Sequence, residues 1–182
     1  MSIVFRKLHE EERNDLREAL IFWIQADKVK EILKSYKFFV GEGRWKELFI
    51  SNKKVNGLLD KNPNISPYSI GLGFGEYRKD YGLILSLGGA SLIAKYSTRS
   101  IKVNEKAESL FLYRRNILCQ SIIEISGELE IDEKVLVVNE HNDFLGIGQL
   151  KISPQNVFLE KYWQQLAIKN LMDLGWYLRK GK

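Results

Sequence analysis

With 182 residues, 45% of them hydrophobic and 12% aromatic, the chain can bury one substantial core or two small ones, which excludes disorder as its dominant state. A formal net charge of +5 allows an acidic partner but is too small to demand one. A single cysteine and two histidines, His9 and His141, exclude a disulfide framework, a CxxC zinc site and a histidine-rich metal cage.

The opening MSIVFRKLHEEER carries no apolar signal segment, and no later run approaches the ~20 apolar residues of a membrane span, so a soluble, cytoplasmic protein is expected. In EEERNDLREALIFWI, Leu16, Ala19, Leu20, Trp23 and Ile24 recur at helical spacing behind acids that suit the helix dipole, which predicts an amphipathic helix. ADKVKEILKSY either continues that helix or connects it onward. KFFVGEGRWKELFIS reads as a hairpin around Gly41 and Gly43. KKVNGLLD is a short helical turn, and KNPNISP, with Pro63 and Pro67, is a loop by its turn chemistry.

In IGLGFGEYR, Gly71, Gly73 and Gly75 alternate with apolar residues. They would share one strand face and allow close backbone packing. Neither GxGxxG nor GxxxxGK[ST] occurs, so a structural strand is favoured over a phosphate-binding loop. YGLILSL reads as a buried strand, GGASLIAKY as a helix rich in small residues, and KYSTRS as a linker.

From Arg99 the pattern changes to short β-like runs split by polar turns: RSIKV, ILCQSIIEI, KVLVVNEHNDFLGIGQLKI and QLAIKNL. EKAESLFLY interrupts them with Ala107, Leu110 and Phe111 on one helical face. The expected architecture is therefore α+β, with an N-terminal α+β domain over residues 1–95 and a small β-barrel-like domain over 96–182.

Catalytic chemistry finds little support. Strand parity in ILCQSIIEI puts Ile117, Cys119 and Ser121 on one face, so Cys119 reads as a packed residue, and His141 is the only histidine in that half to activate it. No GxSxG elbow occurs, and GELEIDE resembles a solvated turn more than an acid–base pair. Charge is more informative. Residues 94–123 hold six Lys/Arg against two Asp/Glu, 124–143 one against seven, and 144–182 six against two. Two basic stretches bracket an acidic one, and if they meet in space they form a face for RNA phosphates. Bases available for it are Lys102, Lys106, Arg114, Arg115, Lys151, Lys161, Lys169, Arg179 and Lys180. A solvated, mixed-charge surface is the alternative.

RSIKVNEKAESLFLYRRNIL, VLVVNEHNDFLGIGQL with a turn at Gly146-Ile147-Gly148 after the acidic hairpin, and the closing DLGWYLRKG resemble the PUA domain, a small pseudo-barrel that generally binds structured RNA. RKLHEEER with its amphipathic helix and NISPYSIGLGFGEYRKDYGLILSLGGASLIAKY extend the resemblance over the whole chain, to the Nip-seven family of large-ribosomal-subunit biogenesis factors. That resemblance implies a non-enzymatic, cofactor-free RNA-binding factor for pre-rRNA processing and large-subunit assembly. Its N-terminal domain would dock other assembly proteins. The implied RNA-binding residues are Lys102, Arg114, Arg115, Lys151, Lys161, Lys169 and Arg179, with Arg179 equally able to cap the last carbonyls of a helix. Tyr162, Trp163 and Trp176 could stack on bases or pack in the barrel.

One departure from the family pattern concerns the turn after FLY, which usually opens with glycine and a small polar residue. Arg114 and Arg115 stand there, and Ser121 replaces a further glycine. If the turn needs a positive φ, arginine is strained where glycine would not be. The competing function is an RNA-modifying enzyme that uses its PUA domain for targeting. It requires a cofactor or an essential acid in the first 95 residues, where Asp60 and Asp80 are available outside any recognisable motif. A protein-only adaptor is a third possibility.

Overall fold

The computed structural model describes residues 3–61, 67 and 69–179. The loop expected at KNPNISP and the terminal base Lys180 lie largely outside them. The chain divides into two compact units, Met1–Leu92 and Ile93–Lys182, and both are mixtures of helix and mainly antiparallel sheet, as the α+β expectation requires.

The first unit is built on β1 (Val4–Lys7), α1 (Glu10–Trp23), α2 (Ala26–Ser35), β2 (Lys37–Glu42), β3 (Lys46–Ser51), α3 (Lys53–Lys61), β4 (Leu72–Arg78) and β5 (Gly82–Leu85), followed by α4 (Leu87–Ile93). Its five strands pair antiparallel in the order β1-β2-β3-β4-β5. Helix α1 starts where Glu12, at the third helical position, accepts the N–H of His9 at 2.7 Å, the reciprocal half of a capping box. It buries the expected stripe of Leu16, Leu20 and Trp23. Ile24 and Gln25 then adopt extended dihedrals, so ADKVKEILKSY is a separate helix that buries Val29 and Ile32.

The glycine-rich strand departs from simple alternation. Leu48 pairs with Gly75 and Phe49 with Gly73, so Phe74 is an extra residue bulging from β4, and its side chain is fully buried. Gly71 precedes the strand and has a positive φ. Two glycines of α4 also approach the backbone of this strand closely. A Cβ on Gly89 would stand 2.0 Å from the Phe74 carbonyl oxygen, and one on Gly88 3.0 Å from that of Gly73. The GG pair of α4 thus lies directly on the bulged backbone of β4.

The second unit contains β6 (Ser100–Val103), α5 (Glu105–Leu112), β7 (Ile117–Leu118), β8 (Ile122–Ser126), β9 (Lys134–Val138), β10 (Phe144–Leu150), β11 (Leu166–Asp173) and α6 (Gly175–Arg179). At KYSTRS a 3₁₀ turn covers Ala94–Tyr96, and β6 begins at Ser100. The six strands run in the order β7-β11-β10-β9-β6-β8, with β6 and β9 parallel and every other pair antiparallel.

This order dictates curvature. Strands β7 and β8 occupy opposite edges, yet only Cys119–Ser121 separate them in sequence. A flat sheet would hold those edges about 24 Å apart at ~4.8 Å per strand, whereas the intervening chain spans at most about 14 Å. The sheet must curl until its edges approach, which produces the pseudo-barrel. Phe111 from α5, with Ile101, Val135, Val137, Leu150 and Ile168 from the strands, fills its interior.

Three local expectations need correction. ILCQSIIEI is not one strand: a 3₁₀ turn at Cys119–Ser121 breaks it at the barrel corner, so strand parity does not place Cys119, although its side chain is buried. Gly146-Ile147-Gly148 is not a turn. It lies inside β10, where register shifts leave Leu145 extra against β9 and Leu171 extra against β10. A Cβ on Gly146 would fall 2.2 Å from the Met172 carbonyl oxygen, which explains the glycine. Leu110 does not share the buried face of Ala107 and Phe111: it is 43% exposed, although it lies within α5.

Candidate nucleic-acid interface

Helix α5 opens on Asn104, whose side-chain oxygen accepts the Ala107 N–H at 2.9 Å, an ordinary N-cap. Its far end is more unusual. The Arg114 N–H reaches the Phe111 carbonyl at 2.9 Å and the Arg115 N–H reaches that of Leu110 at 3.0 Å. These two bonds form a Schellman motif with Tyr113 as the C-cap. The position after the cap must then be left-handed, and Arg114 has a φ of 62°. The strain expected of arginine at a glycine position is therefore present, and it is confined to Arg114.

The motif turns Tyr113, Arg114, Arg115 and Asn116 outward; all four are exposed, Tyr113 by 73%. Two asparagines hold the turn against β11. Asn116 accepts the Asn170 N–H through its side-chain oxygen at 3.0 Å, and the Asn170 side chain donates to the Phe111 carbonyl at 2.8 Å. Lys169, next in chain to Asn170, is exposed. Helix α6 meets the same end: a Cβ on Gly175 would stand 1.8 Å from the Leu112 carbonyl oxygen. Trp176 and Tyr177 follow at once, their rings packed edge to face at 5.0 Å, with Tyr177 59% exposed. One end of the barrel therefore gathers Arg114 and Arg115, a strand position carrying Lys169, and exposed aromatic surface. Among the described residues, no carboxylate lies within ion-pair distance of Arg114, Arg115 or Lys169.

Arg179 belongs to this end as a tie. Its guanidinium donates to the Leu112 carbonyl and to both carboxylate oxygens of Asp173, at 3.0 and 3.2 Å. Asp173 is almost wholly buried, so the carbonyl-capping role is the one the geometry fills. Lys102 and Lys151 stand elsewhere and are already paired. Lys102 lies 2.9 Å from Glu124 and holds that carboxyl below its ordinary value through the hydrogen bond between them. Lys151 pairs with Asp132. Lys161 is near the opposite end of α5, over the Tyr162 ring at 4.8 Å. There Trp163 and Gln165 carbonyls accept the Gln120 and Cys119 N–H groups, and the Ser121 carbonyl accepts the N–H of the Asn104 cap. Burial pushes the Cys119 thiol above its ordinary value, the reverse of what a nucleophile needs.

Sequence reasoning put Tyr162, Trp163 and Trp176 forward for stacking and passed over Tyr113 and Asn116. Tyr113 was legible in principle, since it directly precedes the left-handed position that the glycine pattern marks. Asn116 was not, because its role rests on a residue 54 positions away.

Comparison with known proteins follows the same two units. Residues 5–87 match the family model described as NIP7/UPF0113, pre-PUA domain, and residues 99–182 match the UPF0113 PUA domain. A UPF0113 protein of Archaeoglobus fulgidus is 30% identical over 180 residues, which is 99% of this chain and 97% of that relative. Among solved structures, a PUA domain from Aeropyrum pernix K1, crystallised as a tartrate complex, superposes with a TM-score of 0.67 at 12% identity, covering 98% of this chain and 91% of that one. A conserved PUA domain protein from Thermoplasma acidophilum gives 0.65 at 13% identity over 98% and 99%. The structural likenesses show the fold; the end-to-end relative, with both modules in the same order, establishes that the chain belongs to the NIP7/UPF0113 family, a pre-PUA domain followed by a PUA domain.

Proposed function

We propose that this protein is a non-enzymatic RNA-binding factor of pre-rRNA processing and large-ribosomal-subunit assembly, and that its PUA domain, starting near residue 96, holds the RNA. The observation that carries this reading is the α5 end: Arg114 and Arg115 on a projecting turn pinned beside Lys169, with no carboxylate among the described residues to neutralise them, in a chain of this family. A phosphate backbone supplies the missing counter-charge, and Tyr113 and Tyr177 offer faces on which unpaired bases stack. Lys161 contributes from the opposite end of α5. Lys102, Lys151 and Arg179 contribute less, because each is committed to a carboxylate. The pre-PUA unit docks other assembly proteins, and the complex works in the cytoplasm, with no membrane and no cofactor.

The test is RNA affinity measured against salt. Binding through phosphates falls linearly in log K with log salt, at a slope of about −0.7 per single-strand phosphate neutralised. A slope near zero, or no binding to large-subunit rRNA fragments, overturns the proposal. Incubation of the pure protein with RNA and common cofactors, followed by nucleoside analysis, checks the non-enzymatic part. A new modified nucleoside would overturn it.

A further inference from the structure

The first unit contains a cleft of about 510 Å³ between α1, the end of α2, the β1–β2 edge and α3, within the size range of small-molecule sites. Its charge is of one sign. Lys7, Arg13, Arg17 and Lys37 stand on it, and among the described residues no Asp or Glu lines it or pairs with any of the four. Arg13 and Arg17 are one helical turn apart on α1, so both project to the same side.

Deeper in the cleft lies Asn56 of α3, only 4% exposed. Among the described residues, neither its Nδ2 nor its Oδ1 has a hydrogen-bond partner. A buried amide left unpaired is costly, and such groups in folded proteins are nearly always satisfied. Tyr36 and Phe39, both half-buried, provide aromatic wall.

We propose that this cleft binds a nucleotide, either free or as one residue of single-stranded RNA. The phosphate meets the basic rim, and the base enters between the aromatic walls to pair with Asn56. An Asn side chain presents a donor and an acceptor side by side, which is the complement of a base edge carrying both. An acidic peptide would satisfy the rim but would leave the amide and the aromatic wall unused. The inference concerns the first unit alone and does not depend on RNA binding at the α5 end.

The experiment is calorimetric titration of the full-length protein with the four nucleoside 5′-monophosphates, the parent nucleosides, inorganic phosphate and a short single-stranded RNA. At least one monophosphate, or the RNA, is expected to bind saturably. Arg13→Glu and Lys37→Glu are exposed changes that leave the fold intact, and each is expected to weaken binding about tenfold or more. Asn56→Leu, which replaces the unpaired amide with an apolar group of similar size, is expected to raise the unfolding temperature and to abolish discrimination between bases. RNA binding without mononucleotide binding, still sensitive to Arg13→Glu, identifies RNA as the source. Inorganic phosphate binding as well as any nucleotide, affinities unmoved by both charge reversals, or no binding at all overturns the proposal. Arg114→Ala with Arg115→Ala must leave mononucleotide affinity unchanged, which separates this site from the α5 end.

Discussion

The backbone N–H of Arg115 lies 3.0 Å from the carbonyl oxygen of Leu110, and this closing bond of the Schellman motif forces Arg114 into the left-handed region at a φ of 62°. A non-glycine residue costs about 1–2 kcal/mol there, and part of the gain from glycine is offset by its greater freedom in the unfolded chain. Arg114→Gly is therefore expected to raise stability by about 0.5–1 kcal/mol, read as a higher denaturant midpoint. Arg115→Gly should give no gain, since its φ is not positive. The same Arg114→Gly protein is expected to bind RNA more weakly. Improved stability with weakened binding would mean that the strain at this turn accompanies function.

Arg179 makes a different kind of contribution. It satisfies the carboxylate of Asp173, which is 2% exposed, and the last carbonyl of α5 at the same time. Arg179→Ala would strand a buried charge, and the expected loss is about 3 kcal/mol. Arg179→Lys should recover little, because an ammonium cannot reproduce the planar fork that spans two acceptors. Chemical denaturation followed by the fluorescence of Trp163 and Trp176 measures both. A cost below about 0.5 kcal/mol for the alanine variant, the scale of an exposed pair, would show that the tie is a surface contact only.

The extent to which this was legible in the sequence depended on range. Helix α1, the β2–β3 hairpin and the burial of Phe111 were read from periodicity and turn chemistry, which are local signals. The strain at Arg114 was read from a glycine position that arginine occupies. What escaped was non-local. The break at Cys119–Ser121 exists because β7 and β8 must sit on opposite edges of a closed sheet, and no spacing within ILCQSIIEI encodes that. The turn expected at Gly146 and Gly148 rested on the resemblance to PUA domains, not on local chemistry. The true cause of these glycines is the approach of Met172 and Ile168 from another strand. The same limit governs the binding residues: Lys151 and Asp132 are 19 residues apart, so only the fold shows that this lysine is already paired.

Acid sensitivity is expected to centre on Glu12. Its carboxylate accepts from Arg6 at 2.8 Å, from the His9 N–H at 2.7 Å, and lies 2.6 Å from Lys46. The hydrogen bond from Arg6 is the main reason its pKa falls far below the ordinary glutamate value, with Lys46 and the His9 N–H adding to it against the opposing effect of burial. A carboxyl with a depressed folded-state pKa binds its proton more tightly when unfolded. Its stabilising contribution is complete above the unfolded value of about 4.3 and is lost as the pH falls below that towards the folded value. Melting temperature should therefore decline below about pH 4.5 in the wild type. Glu12→Gln should lower it at pH 7, by about 2 kcal/mol in stability, and flatten that acid limb. Parallel acid limbs in the two proteins would assign the acid loss to other groups.

The division between paired and unpaired bases leads to the most direct test of the RNA face. Releasing a phosphate's counterions requires a cation whose charge is not already cancelled in the free protein. Arg115 and Lys169 meet that condition, whereas Lys102 faces Glu124 and Lys151 faces Asp132. Arg115→Ala and Lys169→Ala are each expected to reduce RNA affinity severalfold and to make the slope of log K against log salt shallower by about 0.7–1. Lys102→Ala and Lys151→Ala remove a positive charge but free a carboxylate, so net charge falls equally in all four variants. If only overall charge attracted RNA, the four slopes would change alike. A loss confined to Arg115 and Lys169 instead locates the phosphates at the C-terminal end of α5, where Asn116 and Asn170 hold the two positions side by side.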